Sequence, residues 1–142
     1  MSGRTVAGVL GALLIAAVAG TFYMIRQKRI GLDRVWAQEA KLTIGEDSES
    51  LQEIEREGQP EVFYRVTLRD MPLGDRVQME CRWVNAQGRI TRNNKYQTQK
   101  VTSATWHTWC RERLVRDSPP GDWTVEMYLD GRRISTTEFR VK

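Results

Sequence analysis

From Val62 onward the apolar residues recur at every second position, a period that suits strands with one buried face and no helix. In Val62 to Leu68 the inward set is Val62, Tyr64, Val66 and Leu68, with Arg65 and Arg69 turned outward. Val77, Met79, Cys81 and Trp83 alternate with Arg76, Gln78, Glu80 and Arg82, and Trp123, Val125, Met127 and Leu129 form a third inward row. Ala40, Leu42 and Ile44 predict a short first strand, Ile90 to Gln97 a polar edge or hairpin tip, and Ile134 to Val141 a closing strand. Between them, Thr102 to Leu114 carries Trp106, Trp109 and Cys110. Turn chemistry at Asn85 to Gly88, at Pro119-Pro120-Gly121 and at Asp130-Gly131 separates these runs. Seven short strands so spaced predict an all-β antiparallel sandwich over residues 40–142.

The other constraint lies at the N-terminus. Thr5 to Ile25 contains no charged residue and is closed by Arg4 before it and by Arg26, Lys28 and Arg29 after it. At about 1.5 Å per residue this run covers about 30 Å, the hydrocarbon thickness of a bilayer. The expected organisation is a short tail at 1–4, a single transmembrane α-helix at 5–25, a basic juxtamembrane linker at 26–39 and the sandwich. Ala17-Val18-Ala19 would also suit a signal-peptidase site, but the apolar run continues past it through Phe22 to Ile25, as in an uncleaved anchor. Gly8 and Ala12 form a small-x-x-x-small step on which another helix could pack.

Two arguments about orientation disagree. The cations after the run would hold the sandwich in the cytoplasm by the positive-inside rule. The two cysteines, Cys81 and Cys110, are an even number in a small β-rich domain, as for a disulfide formed in an oxidising compartment, although buried free thiols fit too. The expected location is the bacterial inner membrane with the sandwich on the periplasmic side. The acidic stretch 46–61, with Glu46, Asp47, Glu49, Glu53, Glu55, Glu57 and Glu61, reads as a solvated loop or short helix, Ser50 and Glu53 standing at capping-box spacing.

Val77 to Trp83, Asn85, Gly88 and Arg89, then Trp106, Thr108 and Trp109, and finally Gly121, Trp123, Val125, Gly131 and Phe139 resemble the bacterial domain family DUF2914 over residues 40–142. The resemblance implies a sandwich of immunoglobulin or fibronectin type III character attached to membrane segments, and the family brings no assigned reaction. Cys81 stands where that pattern more often holds His, and Cys110 where it often holds Ser. The paired departure implies that the two cysteines meet.

No catalytic signature accompanies this architecture. His107 is the single histidine, the cysteines form no C-x-x-C, and no phosphate-binding glycine loop occurs. The reading is therefore not an enzyme, with no cofactor and no metal site. Five tryptophans remain. Trp83 and Trp123 belong to inward rows, whereas Trp106 and Trp109 must point to opposite faces of one strand, leaving one exposed as a contact for a partner protein or a sugar. Trp36, Arg26, Lys28 and Arg29 are candidates for headgroup or subunit contact. The net charge of +4 does not by itself argue for nucleic acid, since no aromatic and basic residues interleave on one face. The expected function is a non-catalytic, single-pass accessory subunit of a larger membrane complex, energy-converting or envelope machinery, with other membrane subunits and the bilayer as partners. A membrane-tethered module that binds a ligand or glycan is the alternative.

Overall fold

The structure is a computed structural model, and it describes residues 15–23, 31–46 and 49–142. The described residues before Arg34 and the segment Arg34–Lys142 form separate units. In the first, residues 15–23 are helical, with Ile15, Val18, Ala19 and Phe22 on one apolar face. The Thr21 hydroxyl donates to the Ala17 carbonyl at 2.8 Å. Among the described residues no helix is long and apolar enough to cross a membrane. Most of the expected span, including Gly8 and Ala12, lies outside the described residues, and so do Arg26, Lys28 and Arg29.

The second unit is a sandwich with eight strands among its described residues: β1 Trp36–Ile44, β2 Glu53–Ile54, β3 Glu61–Arg69, β4 Gln78–Val84, β5 Ile90–Gln97, β6 Trp106–Arg113, β7 Gly121–Leu129 and β8 Arg132–Val141. One sheet has the order β1-β3-β6 and the other β2-β8-β7-β4-β5. Every pairing is antiparallel except the short parallel ladder of β2 with β8. The alternation read from the sequence places the core as expected: Val62, Tyr64, Val66 and Leu68 of β3 are buried, as are Met79, Cys81 and Trp83 of β4. Trp123, Val125, Met127 and Leu129 of β7 are buried beside the β4 row in the same sheet, each large side chain contributing about 1.5–3 kcal/mol on leaving water.

Aromatic rings organise the centre. Trp83 stands edge-on to Tyr64 at 6.5 Å and to Phe139 at 6.2 Å, while Phe139 also meets Trp123 at 6.1 Å. Both buried indoles keep a hydrogen-bond partner, Trp83 Nε1 donating to Asn94 Oδ1 and Trp123 Nε1 to the Pro119 carbonyl. The Tyr64 hydroxyl reaches across the sandwich to Ser135 and Thr137, and burial raises its pKa above the ordinary tyrosine value. A disulfide joins Cys81 of β4 to Cys110 of β6, tying the two sheets together across a Cα separation of 6.5 Å.

Turns follow their chemistry. Asp130 and Gly131 both take positive φ, 47° and 82°, as a two-residue hairpin with the right twist requires. Asn85 Oδ1 accepts the N–H groups of Gln87 and Arg89, which fixes the β4–β5 turn. Gly121 sits at φ 126°, and a Cβ there would lie 2.9 Å from the Ala86 Cβ, so no larger residue fits.

Three boundaries differ from the sequence reading. The first strand begins at Trp36 and not at Ala40, so the expected linker 26–39 ends in sheet; a bulge between Ala37 and Glu39 shifts the register, and the polar residues of this edge strand mask its alternation. Within it Leu42 is buried while Ile44 is exposed. The acidic stretch 46–61 is, in its described residues, more than a solvated loop: Ile54 enters the core, Glu53–Ile54 pairs with the C-terminal strand, and Glu61 opens β3. An apolar side chain in need of burial outweighs the acidic composition around it. The strand expected over Thr102 to Leu114 spans Trp106–Arg113.

Candidate functional site

β5 and β6 are the terminal strands of their respective sheets on the same flank of the sandwich, and no backbone ladder joins them. Between them lies an open trough of about 630 Å³. Residues directly paired across a ladder share a face. Because Met79, Cys81 and Trp83 face the core, their partners Tyr96, Asn94 and Arg92 point to the same side and form the β5 part of the trough floor. Trp106, Thr108 and Cys110 supply the β6 part, and His107, Trp109 and Arg111 stand on its rim.

Side chains alone bridge the floor. The hydroxyls of Tyr96 and Thr108 are 2.5 Å apart, and burial raises the Tyr96 pKa above its ordinary value, so the phenol remains a neutral hydrogen-bonding group. The Thr91 hydroxyl donates to Glu112 Oε2 at 2.9 Å, while Glu112 Oε1 accepts the Arg113 N–H at 2.8 Å. Glu112 is thereby satisfied, although its side chain is buried at the end of the trough. Arg92, Lys95 and Arg111 line the cavity together with polar and aromatic residues, and each faces a carboxylate: Arg92 lies 4.0 Å from Glu112, Arg111 binds Glu61 at 2.8 Å, and Lys95 stands opposite Glu80 in the β4–β5 ladder. The trough is therefore a polar channel with an aromatic floor.

The outer face of the β1-β3-β6 sheet continues this character. Trp109, half exposed, packs against Phe63 at 5.5 Å, and the Arg65 guanidinium lies 4.9 Å from the Phe63 ring centre. Arg65 is held there by hydrogen bonds to Thr43 Oγ1 and to the Gly45 carbonyl. The Thr67 hydroxyl and His107 Nδ1 are 3.1 Å apart. Arg111 and Arg113 both bind Glu61, at 2.8 Å each. A hollow of about 210 Å³ beside Lys41, Arg65 and Thr67 meets Trp109 from this side, so that Trp109 is the ridge between two concave surfaces.

The sequence reading placed Trp106 and Trp109 on opposite faces of one strand, and the structure does so: Trp106 is partly covered on the trough side, and Trp109 projects outward. Trp36 does not join them, because β3 lies between β1 and β6; its Nε1 donates to Asp70 Oδ2 at 3.0 Å. Tyr96, Phe63 and Arg65 were not among the expected contact residues. Phe63 was detectable as an apolar side chain at an outward position of an otherwise well-alternating strand. Tyr96 was hidden in a run that reads as a polar edge. Among the described residues no group of three or more His, Cys, Asp or Glu could hold a metal ion.

No family model matches the chain, and no curated protein matches it. Solved structures share its fold. An immunoglobulin-like protein from Pseudomonas aeruginosa superposes with a TM-score of 0.56 at 12% identity, over 77% of this chain and 97% of that one. The Pseudomonas fluorescens alkylpurine DNA glycosylase AlkC gives 0.54 at 16% identity over 76% of this chain, and a glycosyl hydrolase family 2 member from Bacteroides cellulosilyticus gives 0.52 at 10% over 75%. This chain spans 30% of the glycosylase and 15% of the hydrolase, so within those proteins the likeness concerns a part only. At these identities the matches establish an immunoglobulin-like sandwich and nothing about activity.

Proposed function

We propose that this chain is a non-catalytic accessory subunit anchored in a bacterial inner membrane through residues 5–25, whose sandwich binds a neighbouring protein on the periplasmic side. The observation that carries this reading is the flank formed by β5 and β6, where two strand edges without a ladder partner among the described residues, exposed Trp109 and the aromatic floor of Tyr96 and Trp106 converge on one trough. Aromatic and arginine side chains in such settings anchor protein contacts. The disulfide between Cys81 and Cys110 supports an oxidising compartment against the cation count beside the apolar run. The resemblance to DUF2914 over residues 40–142 belongs to the same reading, since it implies a sandwich attached to membrane segments.

A concave aromatic surface also favours the second reading, a membrane-tethered module for a ligand or glycan, with Trp109 as the stacking platform. One experiment separates the two. A photo-crosslinking residue is placed at Trp109 in the full-length chain, the membrane is irradiated, and the products are identified by mass spectrometry after mild-detergent extraction. Stoichiometric adducts with one membrane protein are expected, and a control residue at Glu138, on the distant outer face, should give none. A monomer free of adducts that binds gluco-oligosaccharides would replace the subunit reading with the glycan one.

A further inference from the structure

Among the described residues of the sandwich unit, the large apolar side chain most open to water is Leu73, 67% exposed, and Trp36 is 51% exposed. Single exposed apolar residues are ordinary. These two share one end of the sandwich, because Trp36 opens β1 opposite Arg69, the last residue of β3, and Leu73 lies in the loop that leaves β3 there. That loop is braced from within. Met71 N–H donates to the Ala104 carbonyl at 3.0 Å, Gly74 N–H to the Val101 carbonyl at 2.8 Å and Val101 N–H to the Asp75 carbonyl at 2.8 Å, while Met71, Val77 and Val101 are buried. Leu73 is thus presented outward by a fixed frame. The hydrogen bond from Trp36 to Asp70 turns the indole to the same loop.

Charge divides the two ends. At the Trp36 end Arg34, Arg69, Arg76, Lys100, Arg132 and Arg133 outnumber Asp70, Asp75 and Asp130, even with the adjoining Asp33 counted. Among the described residues no ion pair engages Arg34, Arg76 or Lys100, all of them exposed. Arg69 directs its guanidinium to the neutral oxygens of Gln38 and Thr105. The opposite end, where Ile44 pairs with Val62, carries the acidic stretch 46–61 and cations already matched: Arg111 and Arg113 by Glu61, Lys142 by Glu53 and Arg140 by Asp122.

Resting on the membrane-anchored reading above, we infer that the Trp36 end of the sandwich docks on an anionic phospholipid surface, with Leu73 and the Trp36 ring at the headgroup boundary and the surrounding cations on lipid phosphates. The tether selects this occupant: ten residues separate Trp36 from Ile25, where the proposed span ends, and such a length reaches at most about 35–40 Å even fully extended. Tryptophan and exposed apolar tips suit the headgroup layer, and lysine and arginine suit its charge. The acidic stretch at the other end is held away from that charge.

The test uses the full-length chain reconstituted into vesicles of phosphatidylcholine and phosphatidylglycerol in a three-to-one mixture. A bimane probe is attached to Leu73→Cys or, as control, to Gln87→Cys in the β4–β5 turn at the far end. Lipids brominated near the headgroup should quench the probe at 73 and leave the probe at 87 unchanged. Arg76→Glu with Lys100→Glu should lower that quenching by about half or more, with the far-ultraviolet spectrum unchanged. Unaltered quenching in this variant would overturn the headgroup contact, and equal quenching at 73 and 87, or none at 73, would overturn the docking. Flotation with the vesicles after an alkaline wash reports the anchor separately. A chain that floats without quenching at 73 keeps the anchored reading and loses the docked end alone, whereas a chain that does not float loses the anchor and the docking with it. In native membranes a photo-crosslinking residue at position 73 should yield lipid adducts, and a stoichiometric protein adduct there would reassign this end to a protein partner.

Discussion

On one flank of the sandwich the chain seals its own edges, and on the other it leaves them apart. The sealed flank is stitched by the segment before and within β2. Leu51 N–H donates to the Leu42 carbonyl of β1, while Arg140 N–H and Lys142 N–H of the C-terminal strand donate to the carbonyls of Gln52 and Ile54. One short segment therefore bonds to both sheets, and buried Ile54 anchors it. Arg132 adds a hydrogen bond from its Nη2 to the Val35 carbonyl at 2.9 Å. Among the described residues the β5–β6 flank is bridged by side chains, Tyr96 to Thr108, Thr91 to Glu112 and Arg92 to Glu112, plus the disulfide behind them. The difference teaches that a sandwich can close one pair of edges with its own backbone and hold the other pair together through side chains alone.

The largest test of this contrast removes the disulfide. A cross-link spanning 29 residues restricts the unfolded chain by about 3–4 kcal/mol, so Cys81→Ser with Cys110→Ser should lower unfolding free energy by about that amount in denaturant titrations. Hydrogen exchange should then accelerate first in β6. Equal loss of protection in β1 and β8 would show that the flanks are not independent. Next comes Ile54→Ala, which empties a buried position on the sealed flank and should cost about 2–4 kcal/mol. Its exchange signature should appear in β8 and leave β5 unchanged.

A smaller effect is expected from Tyr96→Phe, which removes one bridge from the open flank. It should cost about 1 kcal/mol and leave the melting of β8 untouched. The smallest concerns pH. A hydrogen bond from Lys142, with its charge, holds the Glu53 pKa below the ordinary glutamate value. A lowered native pKa gives stability that is present above the unfolded pKa and lost as pH falls through the native one. The Lys142 and Arg140 amides should therefore exchange faster, relative to the rest of the chain, as pH drops below about 4.3, and Glu53→Gln should abolish that dependence. Since the pair is exposed, the global midpoint should barely move.

Much of the fold was legible because one face of each central strand is dry. Val62 to Leu68, Met79 to Trp83 and Trp123 to Leu129 alternate so regularly that a one-residue slip would bury arginine or glutamate. β1 was half legible, since its polar residues face solvent and its bulge breaks the period. β2 was not legible: two residues carry no periodicity, and only the neighbouring C-terminal strand makes Ile54 and its backbone part of a sheet. The candidate site divides in the same way. The opposed directions of Trp106 and Trp109 follow from strand geometry alone. That Trp109 rests on Phe63, and that Tyr96 from another sheet closes the floor beneath Trp106, does not.

Alternating apolar residues and local turn chemistry determined that the central segments β3, β4 and β7 are strands, which of their faces is buried and where the hairpin at Asp130-Gly131 closes, because each depends on contacts within a few residues. Sheet order was decided by tertiary structure, and with it the placing of β5 beside β6, the sealing of the other flank by β2 and the gathering of Arg92, Lys95 and Arg111 around one cleft. These depend on which strands meet across long stretches of chain, and strand alternation is silent about the identity of the neighbour.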